Sequence, residues 1–380
     1  NSRFDRKANA LQLSPRVTQG RRHVQSILLL LEQGGAGDPG CVRRNHEGGK
    51  MTEGKAKKGF HPTVSAVIPN WNRKDDLREA LEAIKAQTYP IEEIIIVDNN
   101  SSDGTREMVE EEYPEVDFIQ SPHNIVIQAL NIGAKTARGD IILHQDNDGV
   151  LEPEAVEKMI KVFASDSSIA VVHCENLYYD TGEIYDPLHW FTPEEHASGE
   201  VFDVPSFHGN GAMIRRDVLE EIDYIEPEIL LYQFERNISA KAIDRGYRIV
   251  FYPTVKIRHK MSKEVRNPGH RLYITMTGGR WYLARFYPVG IGLKKAFHYL
   301  IFFILYTVKY RTFRDFFKGL FDTLLGLPEV LRGRRAVSSR TVEILESKPY
   351  ETSMIKYGSI NTVKRWLARR AGRDSTSVGR

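Results

Sequence analysis

From Val64 onward the hydrophobic positions switch repeatedly between two periods, and the switching reads as an α/β chain. Val64-Ser65-Ala66-Val67-Ile68-Pro69 is a buried strand ended by its proline and a polar loop. Leu77, Ala80, Leu81 and Ile84 recur at i, i+3, i+4 and i+7, which predicts a helix from about Lys74 to Gln87. Ile94 to Val97 is an unbroken β-branched run, suited to a strand covered on both faces. A polar turn at 98–104 precedes a short helix from Thr105 to Glu112. Phe118-Ile119, Ile127 to Ala137 and Asp140 to Leu143 then predict strand, helix and strand. Such alternation predicts a mostly parallel, doubly wound sheet, and sheets of that kind bind ligands at the carboxyl ends of their strands. The loops holding Asn70, Asp98 and Asp146 lie at that edge.

The second half has a different texture. A helix is expected over 151–164, with Pro153 near its start, and a strand over Ile169 to Val172. Residues 175–206 are rich in aromatic, acidic and proline residues and read as an irregular loop. His208-Gly209-Asn210-Gly211 places glycines where a backbone must approach something closely, before a strand through Ile214. A helix from about Phe234 to Arg245 closes at Gly246. Ile249 to Tyr252 is a strand, continued after Pro253 by Val255 to His259. No internal repeat is visible.

Further on, residues 296–308 are apolar but only thirteen long, short of the roughly 20 needed to span hydrocarbon. Phe313, Phe316, Phe317, Leu320, Phe321, Leu324 and Leu325 then form a helical stripe, with Arg314, Asp315, Lys318 and Asp322 on the other face.

Charge sharpens this division. The net charge of the 380 residues is +3, yet 25 Lys/Arg and 8 Asp/Glu lie from Arg258 onward, which makes that part +17 and the remainder −14. A basic, amphipathic C-terminal third points to an anionic surface, and its phenylalanines favour a membrane over nucleic acid. Residues 1–59 hold one apolar cluster, Ile27 to Leu31, too short for a signal-peptide core, and are expected to be a disordered extension, translated from upstream of a true start at Met51. Cys41 and Cys174 form no ligand pattern, consistent with a cytosolic protein lacking a disulfide framework.

The candidate chemistry centres on His144-Gln145-Asp146-Asn147-Asp148, where an apolar strand ends in two carboxylates. If the strand continues, its period of two sends both to one side. Two carboxylates that close repel unless a cation lies between them, and hard oxygen ligands suit Mg²⁺ or Mn²⁺. Alternatively, the segment is a polar turn, where Asp and Asn are common.

Five ordered blocks extend the picture: VSAVIPNWNR at 64–73, QTYPIEEIIIVDNNSSDGT at 87–105, ALNIGAKTARGDIILHQDND at 129–148, HGNGAMIRRDVLEEI at 208–222 and GYRIVFYP at 246–253. Together, over roughly residues 62–260, they resemble the family 2 glycosyltransferases, inverting enzymes of the GT-A fold that use nucleotide sugars. The resemblance implies a GT-A-like (Rossmann-like) sheet flanked by helices, followed by the C-terminal amphipathic helical extension. It implies domains at 60–262 (transferase), 263–335 (helical, membrane-associating) and 336–380 (basic tail).

It implies nucleotide contacts from Pro69, Asn70, Asn72, Arg73, Asp98, Asp103 and Asp146, with Asp98 bonding the base. It implies a metal at Asp146 and Asp148, with His259 beside it. For Asp98 and Asp103, capping of the helix at Thr105 is the competing reading. Relatives commonly carry Gly-Glu-Asp-x-Asp-Leu at the start of the helix after the glycine block. This chain departs there, with Phe234, Glu235 and Asn237 at the three acidic positions. Glu235 keeps a carboxylate where the catalytic acid usually stands, so it is the expected base, although a glutamate at a helix N-terminus also favours the macrodipole.

These implications add up to a metal-dependent transferase at the cytoplasmic membrane face. It would move a sugar from a nucleoside diphosphate to a glycan or lipid-linked hydroxyl, with no nucleic-acid partner. A nucleotide-sugar-binding protein that has lost catalysis is the alternative that Phe234 and Asn237 suggest. A basic nucleic-acid-binding protein is a third, without a recognisable reading motif. Specificity is expected in 175–206 and around Phe207 to Gly211, where no pattern is readable.

Overall fold

A computed structural model describes residues 60–185, 193–229, 233–260 and 267–347. The expected extension at 1–59 and the tail beyond Ser347 lie outside the described residues. Two compact units divide the chain. Among the described residues, the first unit holds every strand and the second holds the helices from Pro268 onward.

The first unit is built on nine strands in one sheet. They are β1 (Val64–Asn70), β2 (Glu93–Asp98), β3 (Asp117–Gln120), β4 (Ile141–His144), β5 (Gly149–Leu151), β6 (Ile169–Tyr178), β7 (Phe202–Asp203), β8 (Ala212–Arg215) and β9 (Arg248–His259). Their order is β3-β2-β1-β4-β8-β6-β9-β5, with β7 on β9. The half β3-β2-β1-β4 is parallel, as the strand–helix alternation requires. Beyond it the sheet is mixed, because β8 runs antiparallel between β4 and β6.

Helices α1 (Lys74–Lys85), α2 (Thr105–Glu112) and α3 (Gln128–Thr136) are the crossovers of the parallel half. Leu77, Ala80, Leu81 and Ile84 are all buried, so the periodicity of α1 is its core face. Gly133 brings α3 onto β1, since a Cβ there would lie 2.3 Å from Val67 Cγ1.

The remaining elements of this unit are α4 (Ala155–Ser165), α5 (Pro193–Ala197), α6 (Arg216–Glu221) and α7 (Phe234–Asp244). Two expectations shift here. Leu151 belongs to β5, and the helix expected from 151 begins only at Ala155, beyond Pro153. β6 continues six residues past Val172, through His173, Glu175 and Asn176, which are buried. A strand flanked on both sides by β8 and β9 buries its backbone whatever its side chains are, so polarity disguised it. Pro253 lies within β9 where the β6–β9 register slips, the irregularity that a proline inside a sheet requires.

The second unit contains α8 (Pro268–Phe286), α9 (Val289–Tyr310), α10 (Phe313–Arg332) and α11 (Ser339–Leu345). Asn267 caps α8 by accepting from the backbone of Gly269 and His270, with Pro268 in the first turn. Leu272, Met276, Phe303, Tyr306 and Phe316 form its core. The thirteen apolar residues at 296–308 sit inside the 22-residue α9, which is long and apolar enough to cross a membrane. Phe316 of the α10 stripe is buried, whereas Phe313, Phe317, Phe321, Leu324 and Leu325 are exposed.

Candidate active site

β4 ends at His144, and Asp146-Asn147-Asp148 is a turn closed by Gly149 N–H donating to the Asp146 carbonyl at 3.2 Å. A strand's alternation therefore does not align the two carboxylates; the turn does. β5 then pairs antiparallel with β9, Gly149 opposite His259, and Lys260 N–H donates to the Asp148 carbonyl at 3.0 Å. This pairing brings His259 from more than a hundred residues away. Its Nε2 lies 3.2 Å from Asp148 Oδ1 and 3.9 Å from Asp146 Oδ2. One ligand atom from each of Asp146, Asp148 and His259 can be chosen with all three within 4.8 Å.

The charge balance is tight. The side chain of Asp148 is only 7% exposed, and Arg73 reaches it through Nη1. Burial raises the Asp148 pKa, but the hydrogen bond and charge of His259, with Arg73, outweigh that and lower it. The side chain of Asp146, at the same turn, is 42% exposed. Desolvation there, then the charge of Asp148, pushes its pKa up to about 6. Burial lowers the pKa of His259, yet the two aspartates more than compensate and raise it.

The pair thus draws cationic partners from the chain itself. Two carboxylates and an imidazole are also a donor set suited to a divalent ion such as Mn²⁺. The residues present fit such a cation.

The nucleotide loops interlock beside this group. Asn70 Nδ2 donates to Asp98 Oδ1 at 2.7 Å, and Asn147 Nδ2 donates to Asn70 Oδ1 at 2.7 Å. Asp98 also accepts from Ser101 N–H and Oγ at 2.8 and 2.6 Å. Asn72 N–H donates to Ser101 Oγ at 2.6 Å. The loop after β1, the end of β2 and the aspartate turn are therefore one hydrogen-bonded body.

Asn72 and Arg73 hold left-handed backbones, φ 54° and 65°, a strained pair of the kind that collects at functional loops. Pro69, partly exposed, precedes Asn70 on β1. Asp103 accepts from Lys74 N–H, Thr105 N–H and Thr105 Oγ1, tying the first turns of α1 and α2 together. That is the capping geometry, and burial of Asp103 is outweighed by these bonds, which hold its pKa low.

Glu235 opens α7. Burial above all, opposed by its own backbone N–H and helped by the charge of Asp146, pushes its pKa up to about 8. Both departures beside it have packing reasons. Phe234 sits edge-to-face on His144 at 5.3 Å and fills the space that a side chain at Gly209 would need. Asn237 is buried and donates to Glu226 Oε2 at 2.6 Å, where Lys241 Nζ also bonds at 2.7 Å.

Sequence reasoning gave three further residues no role of their own, although two of them lie in the Phe207 to Gly211 stretch expected to set specificity. His144 and His208 flank the aspartate turn and the glycine block, and their pKa values fall to about 4 and about 3 through burial. Asn210 accepts from Asp146 N–H at 3.1 Å. A polar residue framed by two glycines was the available signal for Asn210.

The sheet order, the interlocked loops at its carboxyl edge and the Asp-Asp-His group define a glycosyltransferase unit of GT-A-like fold. Residues 65–223 match the profile described as glycosyl transferase family 2, and the chain carries a domain of that family. EpsH of Bacillus subtilis (strain 168), a glycosyltransferase by name, is 26% identical over 238 residues, 56% of this chain and 68% of that protein. A chondroitin synthase of Escherichia coli is 34% identical over 122 residues, 31% of this chain but only 18% of the synthase. Among solved structures, the mannosyltransferase PcManGT of Pyrobaculum calidifontis aligns with a TM-score of 0.51 and 19% identity, covering 85% of this chain and 90% of that one.

Proposed function

We propose that this protein transfers a sugar, with inversion, from a nucleoside-diphosphate sugar to a hydroxyl of a glycan or lipid-linked acceptor at the cytoplasmic face of a membrane. The observation that supports catalysis over mere binding is Glu235. It opens α7, where Phe234 packs against His144 and Gly209, so a carboxylate is kept beside the aspartate turn. The replacements at Phe234 and Asn237 serve packing and leave this carboxylate in place.

Asp146, Asp148 and His259 would hold a divalent cation. Such an ion, when bound, neutralises the diphosphate as it leaves. PcManGT was solved with GDP-Man and Mn²⁺, which sets the ligands to try first. Base and ribose would lie along the loops that carry Asn70, Asn72, Arg73 and Asp98, with Asn70 and Asp98 themselves buried.

The acceptor hydroxyl gives its proton to Glu235, and its oxygen bonds the anomeric carbon from the side opposite the diphosphate. The carbon–oxygen bond to phosphate breaks, and its electron pair leaves with the diphosphate. Positioning of the two reactants by the rigid loops contributes several kcal/mol of barrier lowering.

Glu235→Gln should lower turnover by roughly a hundredfold to ten-thousandfold. Nucleoside-diphosphate affinity should stay within about twofold. Retained turnover rejects the base; lost nucleotide binding rejects its separation from the donor site.

The membrane placement rests on the second unit. Of the 18 exposed large hydrophobic residues among the described residues, 14 lie between Val289 and Ile344. Residues 267–347 carry 13 Lys/Arg against 5 Asp/Glu, matching an anionic leaflet. Peripheral docking predicts release from membranes by alkaline carbonate, whereas a spanning α9 resists it.

A further inference from the structure

We infer that His208 reads a ring hydroxyl of the sugar carried by the donor, with Tyr185 as the wall beside it. This inference rests on the nucleotide-sugar function proposed above and deepens it.

The turn at 208–211 touches every part of the chemistry. Phe234, beside Glu235, packs on Gly209, and Asn210 Oδ1 receives Asp146 N–H. The His208 ring lies 6.4 Å, centroid to centroid, from His259 of the cation group. A sugar joined to a diphosphate beside that group must present its anomeric carbon to the space between cation and base. His208 is the side chain that this turn sets beside the cation group.

Its hydrogen bonding is open. Nδ1 is buried without a partner, and no described group bonds Nε2, which reaches the surface of the partly exposed residue. Buried polar groups in folded proteins are nearly always satisfied, so an imidazole left unbonded beside a catalytic crevice calls for a ligand. Uncharged, it offers one donor and one acceptor, the complement of a hydroxyl.

Tyr185 is fixed from the other side, its N–H donating to the Asn176 carbonyl at 2.7 Å. Its ring stands edge-on to His208 at 5.7 Å and to His259 at 6.0 Å. An apolar face next to a polar reader suits a pyranose, which has both C–H faces and hydroxyl edges.

The test is calorimetric and needs no turnover. With Mn²⁺ present, UDP, GDP and dTDP and their sugar derivatives are titrated into the wild type, His208→Ala and His208→Gln. For the pair that wild type binds, His208→Ala should weaken the sugar nucleotide about tenfold, the scale of one lost hydrogen bond with its partner left unpaired. Affinity for the free nucleoside diphosphate and for Mn²⁺ should stay within about twofold, which also shows that the variant is folded. His208→Gln should recover part of the loss, and a deoxy-sugar nucleotide lacking the contacted hydroxyl should no longer distinguish wild type from His208→Ala. Equal weakening of the free diphosphate, weakened Mn²⁺ binding, or an unchanged sugar nucleotide each overturns the inference while leaving the proposed function standing. A wild type that binds no nucleoside diphosphate overturns both.

Discussion

In the sheet unit, polar side chains go inside: Asn70, Asp98, His144, Asp148 and Asn210 are each 5% exposed or less. In the helical unit the reverse holds, and Leu293, Phe297, Phe317, Phe321, Leu324 and Leu325 are each at least 60% exposed. Burying a polar group costs free energy unless it is partnered, and exposing a contiguous apolar patch costs free energy unless something covers it. The sheet unit meets the first cost by pairing these groups with one another, as in Asn70–Asp98 and Arg73–Asp148, whereas no described residue covers the exposed apolar side chains of the second. The largest effects should come from the first region, because a few fixed charges there act on the reacting bonds.

Replacing Asp146 and Asp148 together with alanine tests that most severely. Sugar-nucleotide affinity in Mn²⁺ and turnover should fall together, turnover by about a thousandfold or more, since cation-assisted charge stabilisation supplies several kcal/mol. Titration calorimetry and a sugar-transfer assay measure the two. Survival of either would detach the aspartate turn from donor binding. Arg73 and His259 would also lose their counter-charges, so the thermal midpoint is followed alongside to show that the fold persists.

The contrast also explains what was legible. The parallel half of the sheet was readable because β1, β2 and β4 are covered on both faces and hence apolar throughout. Beyond β4, the apolar starts of β6, β8 and β9 were readable too, but the second half of β6 was not, because His173, Glu175 and Asn176 break its apolar run and pair through their backbone. The conjunction of Asp146, Asp148 and His259 depends on the β5–β9 pairing, which no local pattern announces. For α10, the period of the stripe was correct, but periodicity does not say which apolar residues face a neighbour. Only Phe316 turned inward among its phenylalanines, and the rest point out.

Changing Phe317, Phe321, Leu324 and Leu325 to glutamine sharpens the other side of the comparison. If each loses part of the roughly 1.5–3 kcal/mol that full burial of such a side chain contributes, partitioning onto anionic vesicles should drop at least about a hundredfold. Sedimentation with liposomes measures this. Nucleotide binding by the sheet unit should not move. Unaltered sedimentation would remove these residues from the contact.

A smaller effect separates packing from catalysis at the altered acid motif. Asn237→Asp restores the acid of the relatives' pattern but sets a second carboxylate against the buried Glu226. Stability should fall by about 1–3 kcal/mol, because a hydrogen-bond donor becomes a repelling acceptor. Glu226→Gln in the same chain should recover part of it, which a denaturant series on the single and double variants can resolve. A gain in turnover from Asn237→Asp alone would instead mean that the motif had decayed.

The mildest prediction concerns acid. His173 is buried on β6 against Phe251, and burial followed by the nearby His208 pushes its pKa down to about 3, from an ordinary value of 6.5. Above pH 6.5 both folded and unfolded chains hold this ring neutral, so it leaves stability unchanged with pH. Below that value the unfolded chain takes up a proton that the folded chain refuses, and stability falls as pH drops towards the folded value. Between pH 7 and 5.5 this linkage amounts to about 1 kcal/mol for one such group. Unfolding free energies of wild type and His173→Gln, measured across that window, should diverge by this amount, with wild type the more acid-sensitive. Parallel curves would show that the folded chain takes up this proton as readily as the unfolded one.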